Sequence, residues 1–244
     1  PEIMDLIAVL QKMGAIISYE PNRVILIEGV PKLNGYDHRS IFDRNEAASW
    51  ASAAIATDGE IFVAGARQQE MLTFLNVLRK IGAHFEVRED GILFARGEAL
   101  QPVTVETDVH PGFMTDWQQP LIVALTQATG RSVVHETVYE NRFGFTQALV
   151  KMGADITVYP HGLQEGPRRV PRRSLEQAAV ITGPTPLHGA DITVPDLRGG
   201  YSHVIAALAA EGTSTVRNIG IIRRGYADFL AKLTALGADF DVIG

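Results

Sequence analysis

Cysteine is absent from all 244 residues, which removes disulfides, thiolate metal sites and a cysteine nucleophile from this stretch. No apolar run reaches the ~20 residues that a membrane-spanning helix needs. Basic residues are not in excess: 22 Lys and Arg stand against 28 Asp and Glu, a net charge of −6, so no general affinity for nucleic acid is expected. No group of His, Asp and Glu has the spacing of metal ligands, and neither a metal nor a cofactor is expected. The first residues do not form a basic segment leading into an apolar one, and a cytoplasmic address is compatible with the composition. What remains is a chain with 46% hydrophobic and 20% charged residues, long enough to bury a sizeable core.

The pattern that is present is a repeat. An apolar residue followed by Gly-Ala closes a helical run at Met13-Gly14-Ala15, Ile81-Gly82-Ala83, Met152-Gly153-Ala154 and Leu236-Gly237-Ala238. The glycines recur at intervals of 68, 71 and 84 residues, and the longest interval holds a Pro-, Gly- and Arg-rich insertion, His161 to Leu175. A unit of about seventy residues is too long for a solenoid helix pair and suits a small α/β module. A second landmark precedes three of the four: Asp58-Gly59-Glu60, Thr129-Gly130-Arg131 and Glu211-Gly212-Thr213. The first copy has none, and residue 1 is Pro, so the stretch is expected to be part of a longer polypeptide with the front of copy one upstream.

Each copy reads as βαβαββ. In copy two the pattern predicts a short strand at Asp37 to Phe42, a helix at Asp43 to Ala56 and a strand at Glu60 to Ala64. Arg67 to Ile81 follows as an amphipathic helix with Met71, Leu72, Leu75, Leu78 and Ile81 at three- and four-residue steps. A hairpin of His84 to Arg88 and Ile92 to Ala95 turns at Glu89-Asp90-Gly91. Copy one keeps Glu2 to Met13, Ile16 to Tyr19 and Val24 to Glu28; copy four ends on a strand at Asp239 to Ile243. Such modules pack with helices inside and sheets outside, bringing helix N-termini to one edge, where aligned dipoles and unpaired amides favour anions.

The repeat also serves as a ruler. Fourteen residues before the glycines at 59, 130 and 212 stand Asn45, Asp116 and Arg198; Arg142 lies eleven before Gly153 and Arg224 thirteen before Gly237. Three arginines and one aspartate are thereby expected on one edge. Asp116 reads either as a helix N-cap or as a site residue, and the arginines either as surface charges or as an anion site.

Specific strings narrow this choice. Pro111-Gly112-Phe113-Met114-Thr115-Asp116-Trp117-Gln118, Glu136-Thr137-Val138-Tyr139-Glu140-Asn141-Arg142-Phe143, Asp196-Leu197-Arg198 and Arg224-Gly225-Tyr226 resemble the PGFPTDxQ, ETVFENRF, DLR and RGY motifs of the enolpyruvyl transferases, in the same order. The ENRF string is closer to the amino-sugar branch of that family than to the shikimate branch. The resemblance implies an α/β (α+β) fold, the inside-out α/β barrel of repeated βαβαββ modules. It implies that residues 1–34 are the remnant of the last unit of one domain. Residues 35–244 would be a second domain of three units, about 35–98, 99–185 and 186–244, the last lacking its final strand.

It further implies transfer of the enolpyruvyl group of phosphoenolpyruvate to the 3′-hydroxyl of UDP-N-acetylglucosamine, by addition and elimination. Asp116 would be general base or orienting acceptor at that hydroxyl, Arg142 and Arg198 would hold the phosphoenolpyruvate carboxylate and Arg224 its phosphate. Val138 and Tyr139 would line the nucleotide site through their main chain. The family's Lys and Asn near its start, its mobile loop bearing a Cys or Asp acid and a further phosphate-binding Arg have no counterpart here, so this stretch alone is expected to be inactive without the N-terminal half. Three departures leave the acceptor open: Met114 replaces Pro, Arg223 replaces Asp or Asn, and Gly199-Gly200-Tyr201 replaces small residues, where Tyr201 is expected to crowd the cleft. A relative with another acceptor, or a non-catalytic binder of nucleotide sugars, are the alternatives.

Other candidates have structural readings. Arg168-Arg169-Val170-Pro171-Arg172-Arg173 reads as a solvated loop, His135 as packed in a strand, and Trp50 and Trp117 as core or interdomain packing. His110 and His203 flank the proposed site segments.

Overall fold

The computed structural model describes residues 1–160 and 177–243; the 161–175 insertion with its arginine run lies outside them. The chain forms two compact units, Pro1–Asp43 and Arg44–Gly244. In the first, α1 (Glu2–Lys12) packs on an antiparallel hairpin of β1 (Ile16–Glu20) and β2 (Val24–Glu28). The two strands meet through Asn22 and Arg23, both with left-handed backbone. Asp5 holds His38 at 2.8 Å, tying the segment after the hairpin back to α1.

The second unit runs α2 (Arg44–Ala56), β3 (Glu60–Ala64), a 3₁₀ turn (Gln68–Glu70), α3 (Leu72–Lys80), β4 (His84–Arg88), β5 (Gly91–Ala95) and β6 (Thr104–Glu106). It continues with α4 (Thr115–Leu125), β7 (Gly130–Glu136), α5 (Thr146–Lys151), β8 (Asp155–Tyr159), β9 (Gln177–Gly183) and β10 (Asp191–Thr193). It closes with α6 (Leu197–Ala209), β11 (Thr215–Arg217), a 3₁₀ segment (Ile219–Arg224) and α7 (Phe229–Ala235).

Residues 104–183 form a complete βαβαββ module with sheet order β6-β7-β9-β8, in which β6 and β7 are parallel and β9 is antiparallel to both of its neighbours. The module before it repeats the β3-β5-β4 part, and the one after it repeats the parallel pair, β10 with β11. Two expected strands differ. Asp37 to Phe42 and Asp239 to Ile243 form no ladder, because a strand exists by hydrogen bonding to a neighbour and neither has one among the described residues.

The first helix of each module lies at the centre: α2, α4 and α6 pack against one another, with the sheets outside them. Every residue of α2 except Glu46 is buried, and its Ala and Ser side chains allow close approach from all sides, so it has no polar face. The outer helix α3 is amphipathic and buries Phe74, Leu75, Val77 and Leu78. Phe74, Phe113 and Trp117 form an aromatic cluster with centroids 5.5 to 6.1 Å apart. Truncating one of these to Ala is worth about 3–5 kcal/mol.

All four Gly-Ala signals end helices in the expected way. Gly14, Gly82, Gly153 and Gly237 have φ between 77° and 101°. At Gly82 the N–H bonds to Arg79 O at 3.1 Å and the N–H of Ala83 to Leu78 O at 3.0 Å, the Schellman pattern that satisfies the last carbonyls, and the other three repeat it.

Candidate active site

The ruler lands on equivalent places. Asn45, Asp116 and Arg198 are each the second residue of the central helices α2, α4 and α6. Asp116 is not a cap: Met114 occupies the N-cap of α4 and makes no side-chain cap bond. On α6 the cap is Asp196, whose Oδ1 accepts from Gly199 N–H at 2.8 Å.

The Asp116 carboxylate instead meets two guanidiniums. Arg142 donates from Nη2 to Oδ1, and Arg198 Nε lies 3.3 Å from Oδ2. The three side chains are 21%, 15% and 31% exposed respectively, so the pairing is only partly screened. Arg142 does not open a helix. It lies in the turn between β7 and α5, with the ring of Tyr139 5.2 Å from its guanidinium, and its Nε is buried with no hydrogen-bond partner among the described residues. Arg198 sits where the α6 dipole opposes its charge, and pairing with Asp116 offsets that cost. One carboxylate between two arginines leaves a local excess of positive charge with planar donors, which suits a carboxylate ligand. Arg224 ends the 3₁₀ segment, exposed, and no ion pair is recorded for it among the described residues; the Asp116 cluster does not include it.

Val138 and Tyr139 are shaped by a residue that the motif reading left unassigned. Their N–H groups donate to Glu136 Oε1 at 2.8 and 2.9 Å, and the hydroxyl of Thr107 adds a third bond at 2.9 Å. Glu136 Oε2 accepts from Thr115 Oγ1 and Gln118 Nε2, both at 2.7 Å. Glu136 is fully buried. The signal was in the sequence: along β7 the inward positions are Ser132, Val134 and Glu136, and a carboxylate at an inward strand position needs partners.

The histidines have local roles. His203 is buried on α6, bonded through Nδ1 to Gly199 O at 2.9 Å, and burial pulls its imidazole below the usual range, opposed by that bond. His110 Nδ1 lies 3.0 Å from Arg44 Nη1, and His135 is half-buried in β7. Tyr201 does not crowd the cleft: it is fully buried, stacked on Tyr226 at 4.5 Å and edge-on to Trp50 at 5.3 Å. No cluster of His, Cys, Asp and Glu fit for a metal occurs among the described residues, and no described helix is long and apolar enough to cross a membrane.

An enolpyruvyl-transferase fold with this cluster agrees with comparisons to known proteins. Residues 1–233 match the model for EPSP synthase (3-phosphoshikimate 1-carboxyvinyltransferase), and the chain belongs to that family. Within it, the chain is 50% identical over its whole length to a UDP-N-acetylglucosamine 1-carboxyvinyltransferase of Protochlamydia amoebophila, covering 52% of that protein. It is 47% identical to the protein of the same name from Chlamydia trachomatis serovar D, over 97% of the chain and 54% of the relative. The chain thus spans about half the length of these curated relatives. Among solved structures, the enolpyruvyl transferase NikO from Streptomyces tendae superposes with a TM-score of 0.81 at 27% identity, over 97% of this chain and 53% of that one. An EPSP synthase from Acinetobacter baumannii shares the fold with a TM-score of 0.67 at 19% identity, over 96% and 54%.

Proposed function

We propose that the full polypeptide carrying this chain transfers the enolpyruvyl group of phosphoenolpyruvate to the 3′-hydroxyl of UDP-N-acetylglucosamine, the first committed step of peptidoglycan precursor synthesis, in the cytoplasm. This chain supplies part of the site. The observation that carries the reading is Asp116 held between Arg142 and Arg198. The names of relatives at 50% and 47% identity support it.

The chemistry joins the sugar oxygen to the phosphate-bearing carbon of the enol double bond while an acid protonates the methylene carbon to a methyl group; loss of phosphate from that carbon and of one proton from the methyl group then restores the double bond. Arg142 and Arg198 bind the phosphoenolpyruvate carboxylate, replacing their bond to Asp116 with bonds to the substrate. Asp116, released, accepts the proton of the 3′-hydroxyl or orients that group. Arg224 takes the phosphate, and the main chain of Val138 and Tyr139 lines the nucleotide. The acid for the methylene carbon comes from the other half of the polypeptide.

Asp116→Ala in the full polypeptide lowers phosphate release by roughly 10²–10⁴-fold while circular dichroism is unchanged; near-normal turnover would reduce Asp116 to a structural partner of the arginines. A second reading, the same transfer to a different acceptor, is favoured by the departures at Met114 and Arg223. Calorimetric titration of the full polypeptide separates the two, since no binding of UDP-N-acetylglucosamine at millimolar ligand leaves the second.

A further inference from the structure

Glu136 is a fully buried carboxylate for which no cationic partner is recorded among the described residues. Five neutral donors surround it, and they divide into two sets. Oε1 gathers Thr107 and the N–H groups of Val138 and Tyr139. Oε2 gathers Thr115 and Gln118, which flank Asp116 in the first turn of α4. An apolar side chain would fill the same space without the desolvation of a charge, so this arrangement is a costly way to pack a core. Its effect is to lock a loop and a helix turn to one rigid strand end, the loop presenting main chain and the turn presenting Asp116.

We infer that Glu136 is a positioning residue for the transfer reaction, holding the Val138–Tyr139 main chain in the shape that receives the nucleotide sugar and fixing the helix turn that carries Asp116. This rests on the function proposed above. The geometry separates two substitutions. Gln keeps a carbonyl for Val138, Tyr139 and Thr107, and its amide can donate to Thr115 and to Gln118, whose own Oε1 has no partner among the described residues and becomes available on rotation of that amide. Asp keeps the charge but withdraws it by about 1.5 Å, out of reach of both sets at once.

The test is steady-state kinetics of the full polypeptide, varying UDP-N-acetylglucosamine and phosphoenolpyruvate separately, with thermal melts of each variant. Glu136→Asp is expected to raise KM for the nucleotide sugar about tenfold, with KM for phosphoenolpyruvate within about threefold of wild type, and Glu136→Gln to stay within about threefold on both. A purely structural role would give fewer folded molecules, hence a lower apparent kcat at unchanged KM, and that result overturns the inference. If the Asp variant does not fold, Thr115→Val decides: it removes one Oε2 donor at constant shape, and a loss of about tenfold in kcat per folded molecule, with the melting midpoint unchanged, supports the inference, while wild-type kinetics or a loss that only follows the folded fraction overturn it. An unmodified polypeptide that releases no phosphate from these substrates defeats the functional reading and this inference with it; turnover with an unmoved KM in Glu136→Asp defeats the inference alone.

Discussion

A buried hydroxyl with nothing to bond is a standing cost to a fold, and the phenol of Tyr201 has no hydrogen-bond partner among the described residues. Its ring is held by Tyr226 and Trp50, contacts that Phe retains. Burial pushes the phenol well above its ordinary 10.0, with Tyr226 and Glu46 adding to the shift, so the folded chain keeps this proton after the unfolded chain has lost it. That contribution is fully present below about pH 10 and declines as pH rises past the unfolded value, by at most about 1.4 kcal/mol per pH unit. Tyr201→Phe is expected to be neutral to about 1 kcal/mol stabilising at pH 7 and to show a shallower loss of stability above pH 10. Urea titrations of both proteins at pH 7 and pH 10.5 measure this, and a Phe variant clearly weaker at pH 7 would mean that the hydroxyl is satisfied.

At the scale of elements, the helix-ending glycines carry the argument because their role is local. A Cβ at Gly82 would add left-handed strain and would also lie 3.0 Å from the carbonyl oxygen of Ala99, whereas at Gly237 it would meet nothing within 4 Å. Gly82→Ala should cost more than the roughly 1–2 kcal/mol of backbone strain expected for Gly237→Ala, lowering the melting midpoint by several degrees more. Equal midpoints in differential scanning calorimetry would remove the Ala99 contact from the account. The same locality explains what could be read in advance. The glycine caps and the first-turn positions of Asn45, Asp116 and Arg198 follow from near neighbours in sequence, and the repeat aligned them, whereas the helix expected over Arg67 to Ile81 is a 3₁₀ turn at Gln68–Glu70 followed by a shorter α3, Leu72–Lys80. Strands at 37–42 and 239–243 could not be read, because pairing is decided by distant chain. The burial of Tyr201 and the five bonds to Glu136 were hidden for the same reason: Thr107, Thr115, Gln118 and Val138 meet only once β6, α4 and β7 have assembled.

For the whole molecule, the unit Pro1–Asp43 poses a question of solvation. Val24, Ile25, Leu26 and Ile27 are all exposed along β2, Ile27 at 70%, and on β1 Tyr19, across from Ile25, and Ile16, across from Glu28, are exposed as well. Because adjacent strand residues point to opposite sides, this hairpin is apolar on both faces, and a two-stranded hairpin is marginal in water by itself. The chain spans about half the length of its curated relatives. We propose that in the full polypeptide the remainder covers this hairpin, and that residues 1–244 alone, lacking the acid and the other groups expected upstream, give no enolpyruvyl transfer. Ile27→Lys distinguishes a covered face from a solvated one. In the isolated chain, where Ile27 already meets water, it should change stability by no more than about 0.5 kcal/mol. In the full polypeptide it would bury an unpaired ammonium and should cost several kcal/mol or prevent folding. Chemical denaturation of both forms measures the two values; a neutral effect in the full polypeptide would show that the hairpin remains open to solvent there, and turnover by residues 1–244 alone would show that the site needs nothing more.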